Sequence, residues 1–303
     1  MAIHLIHPRT RASTLGCLTA SKFAFLVLLA SAPLRALGQD TNNLSDSPGD
    51  NYFSDWFARV SRIQAAQPHW ITPMTTVTPR LEEEYRYDQS WETTSKGSTV
   101  TSYGGGKGLE LIPCENIEVI LGVPAWQSYN KPAGKDGFAD DSFLVKYRIA
   151  AANEENGNYI VTGFLGLSVP TGQHELTEDH YIVTPTIALG KGWGNFDVQS
   201  TLGVSIPDNG AAPEGSGTPL QINTAFQYNL VKVLWPELEV NYTYWGNGEH
   251  EGKSQVFLSP GFLLGRFPIW HRVGATIGLA YQVAVSDKPT FNHNFLLSMR
   301  IPF

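Results

Sequence analysis

Charged residues in this chain recur at every second position. Arg80, Glu82, Glu84, Arg86 and Asp88 follow one another in a single run. Glu110, Glu118, Lys146, Arg148, Asp197, Glu239, Arg272 and Arg300 hold the polar phase of later stretches in which apolar and polar residues alternate. Successive side chains of a strand point to opposite faces, so this spacing predicts one charged, water-seeking face. The two signs nearly balance along it. A pore built for ions of one sign would carry a ring of one sign. Two arrangements remain open: a weakly selective, water-filled passage with walls held by salt bridges, or a charge network that fills the same space.

Other groupings point to less. His174 and Glu175, with Glu178, Asp179 and His180, bring possible metal ligands into one polar stretch. They lack the helical spacing that aims two imidazoles at one ion, so a solvated loop is expected and no metal site. His271 and His293 fall on the apolar face near its two edges, where a polar tip can reach the boundary. No serine shares a face with a histidine. Asp140-Asp141 could form an acid pair, but no partner nucleophile accompanies it. Gly104-Gly105-Gly106 lacks the Lys-Ser/Thr of a phosphate loop. The expectation is a protein without catalytic residues or cofactor, and not an enzyme.

Strands are what must position the charged face. From about residue 77 the hydrophobic period is two, beginning with Thr78 to Asp88, where Glu83 interrupts the apolar row of Val77, Leu81, Tyr85 and Tyr87. Among the later rows are Ile117, Val119 and Leu121; Phe143, Val145, Tyr147 and Ile149; and Leu238, Val240, Tyr242 and Tyr244. The last is Phe291, His293, Phe295, Leu297, Met299, Ile301 and Phe303, making about twelve segments. The opposing face is dense in Gly, Ser, Thr, Asn and Gln. A soluble sandwich needs large apolar residues on its interior face, and this one could not form a dry core. The apolar rows must therefore face lipid and the polar rows enclose water. Aromatic residues fall at segment ends in two belts, with Tyr159, Trp193, Phe196, Tyr228, Trp235, Phe267, Trp270 and Phe303 in one of them. The fold class predicted is all-β: an antiparallel transmembrane β-barrel of about twelve strands over 77–303, with a short N-terminal amphipathic helix.

Composition agrees. Charged residues make up 16 % of the chain and the net charge is −7, which leaves no basic stripe for nucleic acid. Beyond the N-terminus no run of about 18 apolar residues exists to form a membrane helix. Residues 1–38 read as an export signal: Arg9, Arg11 and Lys22 precede the short apolar core Phe23 to Ala30, and Ala36-Leu37-Gly38 offers a cleavage site. Removing it leaves Cys114 alone, so no internal disulfide is expected. Residues 39–76 read as a linker and a periplasmic amphipathic helix at 50–66, carried by Phe53, Trp56, Phe57, Val60 and Ile63. That helix packs on the barrel, lies at the membrane interface or enters the lumen as a plug. Pro68, Pro73 and Pro79 end any helix after it.

The last strand, alternating and ending on Phe303, resembles the closing strand of bacterial outer-membrane barrels, which the barrel assembly machinery reads. Leu167-Ser168-Val169-Pro170-Thr171-Gly172, followed by Pro185-Thr186-Ile187-Ala188-Leu189-Gly190-Lys191-Gly192-Trp193, resembles the outer-membrane barrel family named for the MetA-pathway of phenol degradation. That likeness spans chiefly 140–303. It implies a transporter for aromatic or other apolar compounds and brings no catalytic residues. The expectations are an outer-membrane location, contact with outer-membrane lipid and the assembly machinery, and passage of a small solute. In an even-stranded barrel both chain ends and the short turns lie on the periplasmic side. The alternative is a closed structural or adhesive barrel with a charge-filled lumen.

Overall fold

A computed structural model describes residues 52–94, 97–105, 107–130, 134–208, 217–287 and 289–303. The expected export signal and the first part of the linker lie outside the described residues. Helix α1 (Trp56–Ala65) comes first. Its Trp56, Val60 and Ile63 share one face, and Val60 and Ile63 are fully buried against Leu81 and Ile112. The helix is shorter than the predicted 50–66.

Strand segments follow in chain order: β1 (Glu84–Thr94), β2 (Thr99–Tyr103), β3 (Gly108–Cys114), β4 (Ile117–Leu121), β5 (Trp126–Tyr129) and β6 (Gly137–Phe138). Then come β7 (Asp141–Ala152), β8 (Tyr159–Val169), β9 (Ile182–Trp193), β10 (Phe196–Val204) and β11 (Ile206–Pro207). The last are β12 (Pro219–Tyr228), β13 (Leu234–Trp245), β14 (Ser254–Trp270), β15 (Val273–Ala284) and β16 (Phe291–Pro302). Several are pieces of one stave. β2 and β3 lie end to end along β1, β5 continues β4, β6 continues β7, and β11 continues β10. The staves number twelve, all antiparallel to their neighbours. β1 pairs with β16 from Glu84↔Pro302 to Thr94↔Phe291, which closes the sheet and leaves the wall no free edge.

Burial runs opposite to that of a soluble protein. Ile149 is 58 % exposed and Leu189 51 %, while Glu110, Glu118, Lys146, Gln199 and Glu239 are fully buried. The apolar rows point outward all round the wall and the polar rows inward. Large apolar side chains facing out of a closed barrel require an apolar solvent, so this is a membrane-spanning β-barrel. Short turns at 115–116, 153–158, 194–195, 229–233 and 271–272 mark one end, together with the chain terminus and α1. The longer connections mark the other end, and the stretch between β1 and β3 contains β2.

The wall begins later than the sequence suggests. Thr78 to Glu83 were expected in the first strand, but β1 starts at Glu84. Residues 78–84 are all buried, whatever their parity. A wall strand would bury alternate residues; burial on both sides means that this stretch lies inside the barrel. Leu81, expected to face lipid, packs instead on Val60, Ile63 and Ile112.

Candidate functional site: the occupied lumen

Residues 67–83 form a strap across the lumen in the half nearer the short turns. Pro68, Pro73 and Pro79 deny it a helix, so its backbone groups need partners from elsewhere. Gln67 supplies two by closing the loop on itself: its side-chain amide donates to the Leu81 carbonyl at 2.8 Å and accepts from the Leu81 N–H at 3.0 Å. The wall supplies the rest. The Glu239 carboxylate accepts the backbone N–H groups of Thr75 and Thr76, each at 2.6 Å, and the Thr75 hydroxyl at 2.7 Å. Glu237 accepts the Met74 N–H at 3.3 Å. Gln199 donates to the Ile71 carbonyl at 3.0 Å and accepts from the Thr78 hydroxyl at 2.7 Å. Thr162 donates to the Pro79 carbonyl at 2.6 Å, and Lys146 to the Arg80 carbonyl at 3.1 Å. Glu118 accepts the Glu82 N–H at 2.6 Å.

Arginines hold the other edge. Arg86 donates to the carbonyls of Pro73 and Met74, and Arg300 to those of Thr72 and Pro73. Arg80 and Arg266 both donate to the Trp70 carbonyl. Apolar contact adds to this: Trp70, Ile71 and Met74 pack with Ile160, Trp235, Leu263 and Ala280 inside the barrel. The wall is thinned where they lie. A Cβ at Gly190 would clash with the Trp70 ring, and one at Gly278 with the Met74 sulfur.

Most of the predicted lumen residues do face inward, though in two groups. Glu84, Arg86, Asp88, Glu110, Glu118, Lys146, Asp197, Glu239 and Arg300 project from the wall. Arg80 and Glu82 belong to the strap and meet the wall from within. Arg148 sits half-buried at the rim, donating to the carbonyls of Ile63 and Glu115. Arg272 is a correction. It lies exposed in the β14–β15 turn, donates to Ser61 and covers the Phe57 ring at 5.0 Å, so it braces α1 outside the lumen. Trp235 is another: expected in an interfacial belt, it points inward with the same parity as Glu237 and Glu239.

Three participants were missed. Glu237 shares the parity of Glu239 and was legible. Lys107, in the lead into β3, reaches toward Glu110 at 3.9 Å. Arg266 was hidden by a bulge. The β14–β15 register shifts between Gly265 and Phe267, which leaves Arg266 unpaired and turned in toward Trp70.

Ion pairs tie several groups together: Arg80–Glu82, Arg86–Asp88 and Lys146–Glu118, each at 2.8 Å. At the short-turn mouth, Glu154 accepts both the backbone N–H of His69, at 2.6 Å, and its ring nitrogen, at 2.8 Å. Partial burial pushes the Glu154 carboxyl up, but these bonds outweigh it and hold it below its ordinary range. Glu83, at the strap's end, behaves oppositely. Burial raises it, only partly offset by hydrogen bonds from Trp56 and from the Ile112 N–H. Asp140 and Asp141 staple a loop, accepting from the N–H groups of Gly172 and Glu178 and from the Thr171 hydroxyl. Space remains on both sides of the strap. A cavity of about 450 Å³ toward the long loops is lined by Arg86, Asp88 and Lys107, and smaller ones open toward the short turns.

A closed twelve-stranded, membrane-spanning barrel with an occupied polar lumen is the class that this geometry defines. Solved structures share the architecture. The chain is similar to the COG4313 outer membrane channel from Pseudomonas putida F1, with 15 % identity, a TM-score of 0.55, and coverage of 72 % of this chain and 93 % of that one. Looser likenesses are the NanC porin, at 9 % identity and TM-score 0.48 over 72 % of this chain and 98 % of that one, and the outer membrane channel DcaP of Acinetobacter baumannii, at 7 % and 0.31 over 73 % and 96 %. No family model and no curated protein matches the chain.

Proposed function

We propose that the protein is a bacterial outer-membrane channel for small solutes, constricted by its own strap. One observation carries the reading: a lipid-facing barrel encloses a hydrophilic lumen that retains solvent-sized cavities on both sides of a single crossing segment. The fold shared with an outer membrane channel supports it. In this reading α1 and the short turns are periplasmic, the lumen charges line the passage, and the barrel performs no chemistry. Aromatic or apolar solutes, and membership of the phenol-degradation family, rest on the stretches 167–172 and 185–193.

A second reading has its own support. The strap is bonded to side chains from β1, β4, β7, β8, β10, β13, β14 and β16, which suits a barrel permanently shut. Planar-bilayer recording separates the two. The channel reading expects a small current from the refolded protein and a larger one when residues 67–79 are replaced by a short Gly-Ser linker. Silence from both proteins would leave a closed structural barrel.

A further inference from the structure

Buried cations in this lumen are mostly matched. Arg86 has Asp88, Lys146 has Glu118 and Arg80 has Glu82. Arg266 and Arg300 make no ion pair among the described residues; both donate only to neutral groups. Arg300 is almost wholly buried, whereas Arg266 is solvent-exposed on the short-turn side. A charge taken out of water without a counterion is costly, and proteins rarely keep one without a reason.

These two guanidiniums are not scattered. Together with Arg80 they line one chamber of about 180 Å³ between the strap and the β14–β16 wall. Arg80 and Arg266 converge on a single neutral acceptor, the Trp70 carbonyl. The carboxylates in the chamber are Glu82, already paired with Arg80, and Glu84. Three guanidiniums thus face two carboxylates, and one positive charge is in excess. Two buried atoms on the lining lack any hydrogen-bond partner: Nε of Arg80, a donor, and Oε1 of Glu84, an acceptor. The free donor is where an oxyanion would bind. Glu84 keeps doubly charged anions out, since one excess charge balances a monoanion only.

The chamber does not end there. A second cavity of about 350 Å³ shares His69 and Arg266 with it and is walled by Trp70 and Trp235, with Glu154 and Lys232, of opposite charge, also on its lining. Arg266 stands at the junction, with cationic groups on one side and indole rings on the other. We propose that the pair forms a binding site for a small organic monocarboxylate, its carboxylate among Arg80, Arg266 and Arg300 and its apolar or aromatic body against the two tryptophans. This names a substrate class for the channel proposed above and rests on that reading only in taking the bound molecule to be in transit.

The test is binding by full-length protein refolded in detergent micelles, in low-chloride buffer, by titration calorimetry. Benzoate is expected to bind, and benzyl alcohol, nearly the same shape without the charge, to bind at least about tenfold more weakly, since charge-assisted hydrogen bonds are markedly stronger than neutral ones. Arg266→Gln and Arg300→Gln should each weaken benzoate by a similar factor. Arg62→Gln, which removes only a surface pair with Glu115, should leave it unchanged. Equal affinity for benzoate and benzyl alcohol, or no benzoate binding, would overturn the site without recourse to any variant. Micelle binding also separates this proposal from the channel. Benzoate binding without current from any barrel would keep the site and remove the channel; current without anion-dependent binding would do the reverse.

Discussion

Glu239 shows how one side chain fixes the state of the lumen. A strap with three prolines has backbone donors that no secondary structure satisfies, and a single carboxylate takes two of them in succession along with a hydroxyl. Charge-assisted bonds of this kind are about twice as strong as neutral ones. Glu239→Gln keeps the shape and removes the charge. It should cost about 1–3 kcal/mol of strap attachment and raise the fraction of time a single barrel spends in a high-conductance state, read by single-channel recording. A variant as quiet as the parent would show that Glu239 is not a latch. Gly278 sets the opposite constraint. No Cβ fits between the wall and the Met74 sulfur, so Gly278→Val must push the strap inward or out. A cysteine placed at position 77 in that background should react faster with a water-soluble maleimide than one in the parent sequence, with Cys114 first replaced by Ser.

At the level of elements, the strap is held at both ends by groups outside the membrane. α1 anchors its end by burying Val60 and Ile63 on Leu81 and Ile112. Val60→Asp would place a charge in that small apolar cluster at a cost of about 2–4 kcal/mol, and proteolysis at the exposed Arg62 should accelerate while the barrel stays resistant. The second anchor is Glu154 with His69. Because the Glu154 carboxyl is held below its ordinary value of 4.5, its contribution is complete above that value. It is lost as pH falls from about 4.5 down through the lowered native value. Mobility of a spin label at position 70 should therefore rise only in acid, and the rise should vanish in Glu154→Gln, which is mobile at every pH. The twelve staves were legible from their period of two and the strap was not. Periodicity reports which faces differ, and the strap's two faces are alike in being buried. Its signals were the charge at Glu83 breaking an apolar row, Pro73 just ahead of a supposed strand and Pro79 inside it. Arg266 was illegible for a related reason: a bulge changes parity without leaving a mark in composition, so counting from Phe262 and Leu264 assigns it to the lipid face.

The whole molecule turns on which solvent each face meets. Outward residues at mid-strand, such as Ile187 on β9, are exposed in the isolated chain, while Ala188 and Thr201 beside them are buried. If lipid is the outer solvent, Ile187→Arg should destabilise the folded barrel by about 2–4 kcal/mol, measured by guanidinium titration in phospholipid vesicles. The same substitution in detergent micelles should cost less, because a micelle deforms to hydrate the guanidinium. Thr186, next to Ile187 but on the lumen side of β9 and half-buried, provides the internal comparison. Thr186→Arg should change stability by less than half as much in vesicles, since its head reaches the water enclosed by the wall. Reversal of that ranking would mean that the apolar rows pack against protein, and the barrel's orientation to its surroundings would have to be inverted. The expected ranking makes Arg300 the exception: it lies buried between the strap and the wall, its lost hydration made up by Ser298, by the Thr72 and Pro73 carbonyls and, at the site proposed above, by a bound anion.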